Sequence, residues 1–272
     1  MLCGHDISER RSCYLVGITR SSARYRAQPV ADTELSEELR TIAAQHPRFG
    51  YRRAHALLQR AGQQINHKRV ARVWRIIGLS LPRRRPRRRY HAQPVRRISQ
   101  ATRPNEVWTY DFVHDWCANG QRLKLLTVID EFTRESLTIE TRTSIKSRAV
   151  VEILERLTQE RGAPSYLRSD NGPEFVANGV RDWLAAKQIG TLYIKPGSPW
   201  QNARGESFNG RLRDECLNVE WFNNLREAKV VIETWRQHYN KERPHSSLKY
   251  QTPVEFRLAY QQSQKSFAST RI

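Results

Sequence analysis

Asp111, Asp170 and Glu206 are the residues of this chain whose types and placement point to chemistry. Asp111 falls in the middle of "VWTYDFV", among Trp108, Tyr110 and Phe112, where strand propensity disfavours aspartate and burial is costly unless the charge is compensated. A compensating group, cationic by expectation, belongs beside it. Asp170 stands where "YLRSD" runs out into "NGPEF", at a strand end. Glu206 opens "ESFNGRLRDE": on a helix Phe208, Leu212 and Cys216 share a packing face, whereas Glu206, Asn209 and Arg213 share another. Three carboxylates without histidine or cysteine make a hard oxygen site suited to Mg²⁺ or Mn²⁺. Two such ions about 3.5–4 Å apart would grip both sides of a phosphodiester, one activating water or a 3′-hydroxyl and the other stabilising the leaving oxygen. The chemistry implied is phosphoryl transfer on a nucleic acid backbone. No GxxxxGK[ST] loop accompanies it, so ATP is not expected.

For these carboxylates to meet, the chain from Val107 must place them on one sheet edge. "VWTYDFVHDW", "LKLLTVIDEFT" and "SLTIETRT" read as an antiparallel meander broken by "CANGQR" and "RE". A helix over "SRAVVEILERLTQERG", a strand at "SYLRSD", a helix over "FVANGVRDWLAAKQIG" and a strand at "TLYIK" follow. The order βββαβαβα predicts an α/β core with a mixed five-stranded sheet flanked by helices. In that order the first and fourth strands can lie side by side, bringing Asp111 to Asp170. The 35 residues between Asp170 and Glu206 suffice to return a helix across the same edge. Any one of these residues alone is equally explained as a structural ion-pair partner, and Asp115, Asp130, Glu131 and Glu174 are nearby competitors.

The charge is placed elsewhere. Of a net +20 over 272 residues, the first 100 carry 22 Lys and Arg against 6 Asp and Glu, and residues 51–100 hold 15 basic residues and no acidic one. Such a surplus calls for a polyanion, nucleic acid before membrane. Within 1–30, two short helices around Gly17 resemble a small helix-turn-helix, with Thr19 or Ser21 as cap; a plain helical hairpin is the alternative. Residues 34–80 read as a three-helix DNA-binding unit whose last helix, capped by Asn66, displays Lys68, Arg69, Arg72 and Arg75; a solvated basic face is the alternative. Residues 81–105 form an arginine- and proline-rich linker in which Arg83, Arg84, Arg85, Arg87, Arg88 and Arg89 are expected to neutralise phosphates. The core occupies 106–218, and 219–272 supplies a further helix and tail packing on it. Four scattered cysteines argue against a disulfide framework or zinc site. Without an apolar span or secretory signal, a cytoplasmic, nucleoid-associated protein with no membrane partner is expected.

"VWTYDFV", "VIDEFTRE", "RSDNGPEF", "KPGSPWQN", "ESFNGRLRDE" and "YNKERPHSSLKYQTPVEF" together resemble the retroviral-integrase-type core of bacterial insertion-sequence transposases, the product of the second reading frame (OrfB type). The resemblance runs from about Leu35 onward. It implies an RNase H-like fold and a DDE-type polynucleotidyl transferase, with Asp111, Asp170 and Glu206 as catalytic, metal-holding residues. It also implies cleavage at element ends, joining of the freed 3′-hydroxyl to target DNA, action as a homo-multimer on DNA, and frequent fusion with an upstream reading-frame product by frameshifting. Asn171, Asn209 and Arg213 are expected to contact DNA, and Arg204 either contacts phosphate or is merely exposed. Two other readings stay open: a DNA-binding regulator with a silent core, and a nuclease that cuts but never joins.

Overall fold

The computed structural model describes residues 7–25, 32–82, 101–169, 172, 175, 177–193 and 202–269. At the N-terminus α1 (Glu9–Val16) ends at Gly17, whose φ of 71° makes a left-handed cap, and α2 (Arg20–Arg24) begins with the Thr19 hydroxyl accepting the Ser22 N–H. Next come α3 (Thr33–Gln45), α4 (Tyr51–Arg60) and α5 (His67–Ile76). Their apolar faces close a small core of Leu35, Leu39, Ala54, Leu58, Val70, Val73 and Trp74. Asn66 caps α5, its side chain accepting the Lys68 N–H at 2.8 Å.

The sheet has the order β3-β2-β1-β4-β5, with β1 (Val107–Trp116), β2 (Arg122–Asp130) and β3 (Ser136–Arg142) antiparallel. β4 (Tyr166–Ser169) runs parallel to β1, and β5 (Gly190–Tyr193) parallel to β4. The expected adjacency of first and fourth strands is present, in a register that pairs Trp108 with Leu167 and Thr109 with Arg168.

Strand alternation divides β1 between two cores. Trp108 and Tyr110 face α6 (Ser147–Arg161) and α7 (Asn178–Ala186), among Leu126, Val128, Ile153, Leu154 and Leu184. Val113 faces the other way, with Leu125 and Ile129, toward α8 (Ala203–Leu212) and α9 (Leu225–Lys241). Phe208, Leu212 and Cys216 are buried on that side, as their spacing predicts, although the helix widens into a π-helical turn at Arg213–Leu217. The last helix, α10 (Pro253–Ser269), sets Phe256 and Tyr260 against Phe132 and Arg257 against Glu135 at 2.8 Å.

The three-helix unit docks directly on the core, a contact that the intervening linker gave no reason to expect. Arg53 of α4 and Arg243 both reach Glu215, at 3.1 and 2.5 Å. Burial alone would raise the Glu215 pKa, but the paired Arg243 and Arg53 outweigh it and hold the carboxyl below its ordinary value. Arg60 donates to the carbonyls of Glu242 and Tyr250 and to Glu255. His46, Phe49 and His238 form a cluster of stacked rings, with His46 4.5 Å from Phe49 and 5.0 Å from His238. Arg243, at 1% exposure, and the buried His245 fold the start of "RPHSS" back onto the core.

Candidate active site

Asp111 sits mid-strand on β1 and is half-buried. Thr109, Asp111 and Val113 share the face covered by α8. The approach of that helix is set by Gly205: a Cβ there would stand 2.5 Å from Asn202 Oδ1 and 2.9 Å from Thr109 Cγ2. Glycine is needed for this close packing, which explains "NARGES" locally. One turn further along, Asn209 is buried, and its Nδ2 donates to Asp111 Oδ2 at 2.9 Å. The Phe112 N–H donates to Asp111 Oδ1 at 2.8 Å. The Thr127 hydroxyl lies between Asn209 Oδ1 at 3.1 Å and the Asp111 carbonyl at 3.2 Å, fixing the amide orientation from β2. These contacts tie Asp111 to the helix that carries Glu206.

Glu206 is exposed in the first turn of α8, where the helix dipole favours a carboxylate. It lies three residues before Asn209, so the two are neighbours on the helix surface. Asn209 was expected to contact DNA; buried, with both ends of its amide engaged inside the fold, it is placed to hold Asp111 instead. Arg213 is exposed at the start of the π-helical turn.

Behind this pair lies a buried polar cluster that sequence reasoning did not assemble. The Thr109 hydroxyl donates to Glu131, and Arg168 of β4 meets the same carboxylate at 3.2 Å. Burial raises the Glu131 pKa, opposed by these partners. Glu131 is therefore a structural partner of β4. Asp130 receives N–H donors from Asn105, Phe132 and Thr133 at 2.7–2.9 Å. The signal available in sequence was the run "DEFTRE", whose acids were noted but whose partners come from distant strands.

Asp170 and Asn171 lie outside the described residues, as do Glu174, Trp200, Gln201 and Arg83, Arg84, Arg85, Arg87, Arg88 and Arg89. Lys68, Arg69, Arg72 and Arg75 are all exposed on α5, on the side away from Val70, Val73 and Trp74. Asp32 pairs with Arg69 and Arg72 at 2.7 and 2.8 Å, offsetting part of that face. His245 is buried against the Tyr239 carbonyl, and burial followed by nearby Arg243 pushes its pKa down to about 3. Among the described residues no helix is long and apolar enough to cross a membrane.

Residues 101–199 and 187–253 match family models described as integrase core domains, and residues 30–87 match one described as an HTH-like domain. The chain is 45% identical over 252 residues to an uncharacterised 31.7 kDa protein of insertion element IS407 from Burkholderia multivorans, covering 92% of this chain and 91% of that one. It is 31% identical over 224 residues to the putative transposase InsK for insertion sequence element IS150 of Escherichia coli, covering 77% of each. Its fold is similar to that of a chain in the simian T-cell lymphotropic virus intasome bound to the PP2A regulatory subunit B56 gamma. There the TM-score is 0.51 and the identity 16%, over 71% of this chain and 67% of that one.

Proposed function

We propose that this chain, which belongs to the insertion-element transposases with an integrase core domain, cuts DNA strands and joins 3′-hydroxyl ends through Asp111, Asp170 and Glu206. The observation that carries the reading is the pairing of Thr109 with Arg168 on parallel strands. Asp111 and Asp170 each follow a member of that pair by two residues in sequence, and Asp111 shares its face of β1 with Thr109. That face is the one α8 covers, with Glu206 one turn before the Asn209 that binds Asp111.

The donor set fits a hard divalent ion. Asp111 and Glu206 offer oxygen alone; the Asp111 carboxylate accepts the Phe112 and Asn209 N–H groups, and Glu206 is exposed. Mg²⁺ or Mn²⁺, one or two per site, would be held by Asp111, Asp170 and Glu206 and would supply activation of the attacking oxygen and stabilisation of the leaving one.

The rest of the chain positions the reaction. Asn209 and Thr127 fix the Asp111 carboxylate, while Glu131 and Thr109 lock Arg168 two residues before Asp170. Lys68, Arg69, Arg72 and Arg75, with the linker arginines, bind the phosphate backbone in our reading, and Arg213 and Asn171 reach DNA near the core. Element ends and target DNA are the substrates, and a homo-multimer assembles on them.

Incubating an element-end duplex and a target duplex with the protein and Mg²⁺, and resolving labelled strands on a denaturing gel, tests this function. A joined strand supports the transferase; nicked ends without joining favour the nuclease reading; binding without product favours the silent regulator.

A further inference from the structure

We infer that Glu215, held from the three-helix unit by Arg53, is a positioning residue that fixes the helix carrying Glu206, so that the docked unit sets the geometry of the carboxylate site, an inference that rests on the function proposed above. Glu215 lies in the π-helical turn Arg213–Leu217, which continues α8. There the Asn218 N–H donates to the Arg213 carbonyl at 2.9 Å, closing the wider ring of a π-helix. Such turns are rare within helices and recur at functional sites. This one takes the Glu215 side chain, Cys216 and Leu217 out of solvent in succession.

Both acids of the turn face arginines of the three-helix unit. Arg53 Nη1 donates to Glu215 Oε1 at 3.1 Å, and Arg48, on the connection before α4, approaches Asp214 at 4.0 Å. The core holds the same carboxylate: Arg243 Nε donates to Oε2 at 2.6 Å and Arg243 Nη2 to Oε1 at 2.5 Å. Glu215 is thus a junction of α4, the segment after α9 and the helix that carries Glu206. Arg243 also lies over the Tyr239 ring at 5.5 Å, and Tyr239 meets Phe208 edge-on at 5.0 Å. Phe208 directly precedes Asn209, whose amide holds Asp111 at 2.9 Å. Contact is therefore continuous from α4 to the group that orients Asp111, and a stiff helix carries any displacement of the turn to Asn209 and Glu206. Arg60 docks the same unit on segments outside α8, at the carbonyls of Glu242 and Tyr250 and at Glu255.

The test compares the full chain with Arg53→Met, Arg53→Lys and Arg60→Met, at a temperature where melts show every variant folded. Hydrogen–deuterium exchange without DNA or metal reads the helix directly. Arg53→Met should speed exchange along α8 back to its first turn at Glu206, while Arg60→Met, which loosens the docking elsewhere, should not. On an element-end duplex held by saturating protein, Arg53→Met should slow strand cleavage about 3- to 30-fold, the span of coupling through a packed network. It should also need more Mg²⁺ to reach half its maximal rate, while duplex binding in metal-free buffer matches wild type. Arg53→Lys keeps the charge and should lie between the two. An Arg53→Met protein that melts lower, yet keeps wild-type exchange in α8 and wild-type Mg²⁺ dependence, would mark the contact as docking alone and overturn the inference. Equal losses in Arg60→Met and Arg53→Met would overturn it too, since docking in general, and not the contact with Glu215, would then be responsible. Arg243 stays paired with Glu215 in Arg53→Met, so no buried charge is orphaned and the variant should fold; if it does not, Arg53→Lys carries the exchange comparison. If wild type yields no product, the proposed function fails by itself, and exchange along α8 still decides the coupling.

Discussion

Asn209 Nδ2 lies 2.9 Å from Asp111 Oδ2. That contact joins the centre of β1 to α8 across 98 residues of sequence, and it makes the position of one carboxylate depend on the helix that carries another. With the Thr127 hydroxyl on the far side of the amide, the Asn209 side chain has one orientation in which both its ends are satisfied.

Removing that amide should uncouple the two elements. For Asn209→Ala we expect strand cleavage to fall about 10- to 100-fold, the usual cost of losing a group that orients a metal-holding carboxylate. Stability should fall by about 1–3 kcal/mol, because Asp111 loses a donor and Thr127 one of its two acceptors. Asn209→Asp should be worse for activity, since it faces Asp111 with a like charge. Product gels and thermal melts on the same preparations read both effects.

Gly205→Ala should lift the first turn of α8 from β1. The added Cβ would meet Asn202 Oδ1 and Thr109 Cγ2 inside normal contact distance, at an expected cost of about 1–3 kcal/mol. Adding Asn202→Ala in the same chain removes the nearer clash and should restore part of the melting temperature. Equal melting of Gly205→Ala and wild type would mean that the helix does not pack this closely.

Acid should destabilise the fold through His245. Its folded pKa of about 3 lies below the ordinary 6.5, so its contribution is complete above about pH 6.5 and is lost as pH falls from there toward 3. A shift of that size corresponds to a few kcal/mol at most. Denaturant melts across this range should lose stability less steeply in His245→Gln than in wild type.

The Asp32 carboxylate offsets two arginines of the α5 basic face. Asp32→Asn should therefore tighten non-specific duplex binding at low salt and steepen its salt dependence. The arginines of these pairs are well exposed, so the change in stability should stay under about 1 kcal/mol. Binding isotherms at several salt concentrations and a melt of the same variant separate the two effects.

The sheet and the packing face of α8 were legible in sequence because both rest on periodicity: aromatic and branched residues alternating along β1, and Phe208, Leu212 and Cys216 recurring at helical spacing. Caps at Thr19 and Asn66 were legible because their hydrogen bonds are local. What was not legible is contact between distant residues. The amide from α8 that donates to Asp111, beside a backbone N–H, comes from 98 residues away. Asn209 carried the right spacing and received the wrong expected partner, because spacing places a residue on a face without saying what covers that face. The docking of α4 through Arg53 on Glu215 is likewise invisible in a chain whose linker reads as a separator.

The central claim is that Asp111, Asp170 and Glu206 act as one metal-holding set. The most direct measurement compares wild type, Asp170→Asn and Glu206→Gln for strand cleavage and joining on the same element-end duplex with Mg²⁺ or Mn²⁺, with DNA binding measured in parallel. Our account predicts that both variants bind the duplex as wild type does and yield no product, while wild type requires the metal. Cleavage that persists in either variant, or that proceeds in wild type with the metal chelated, would contradict it.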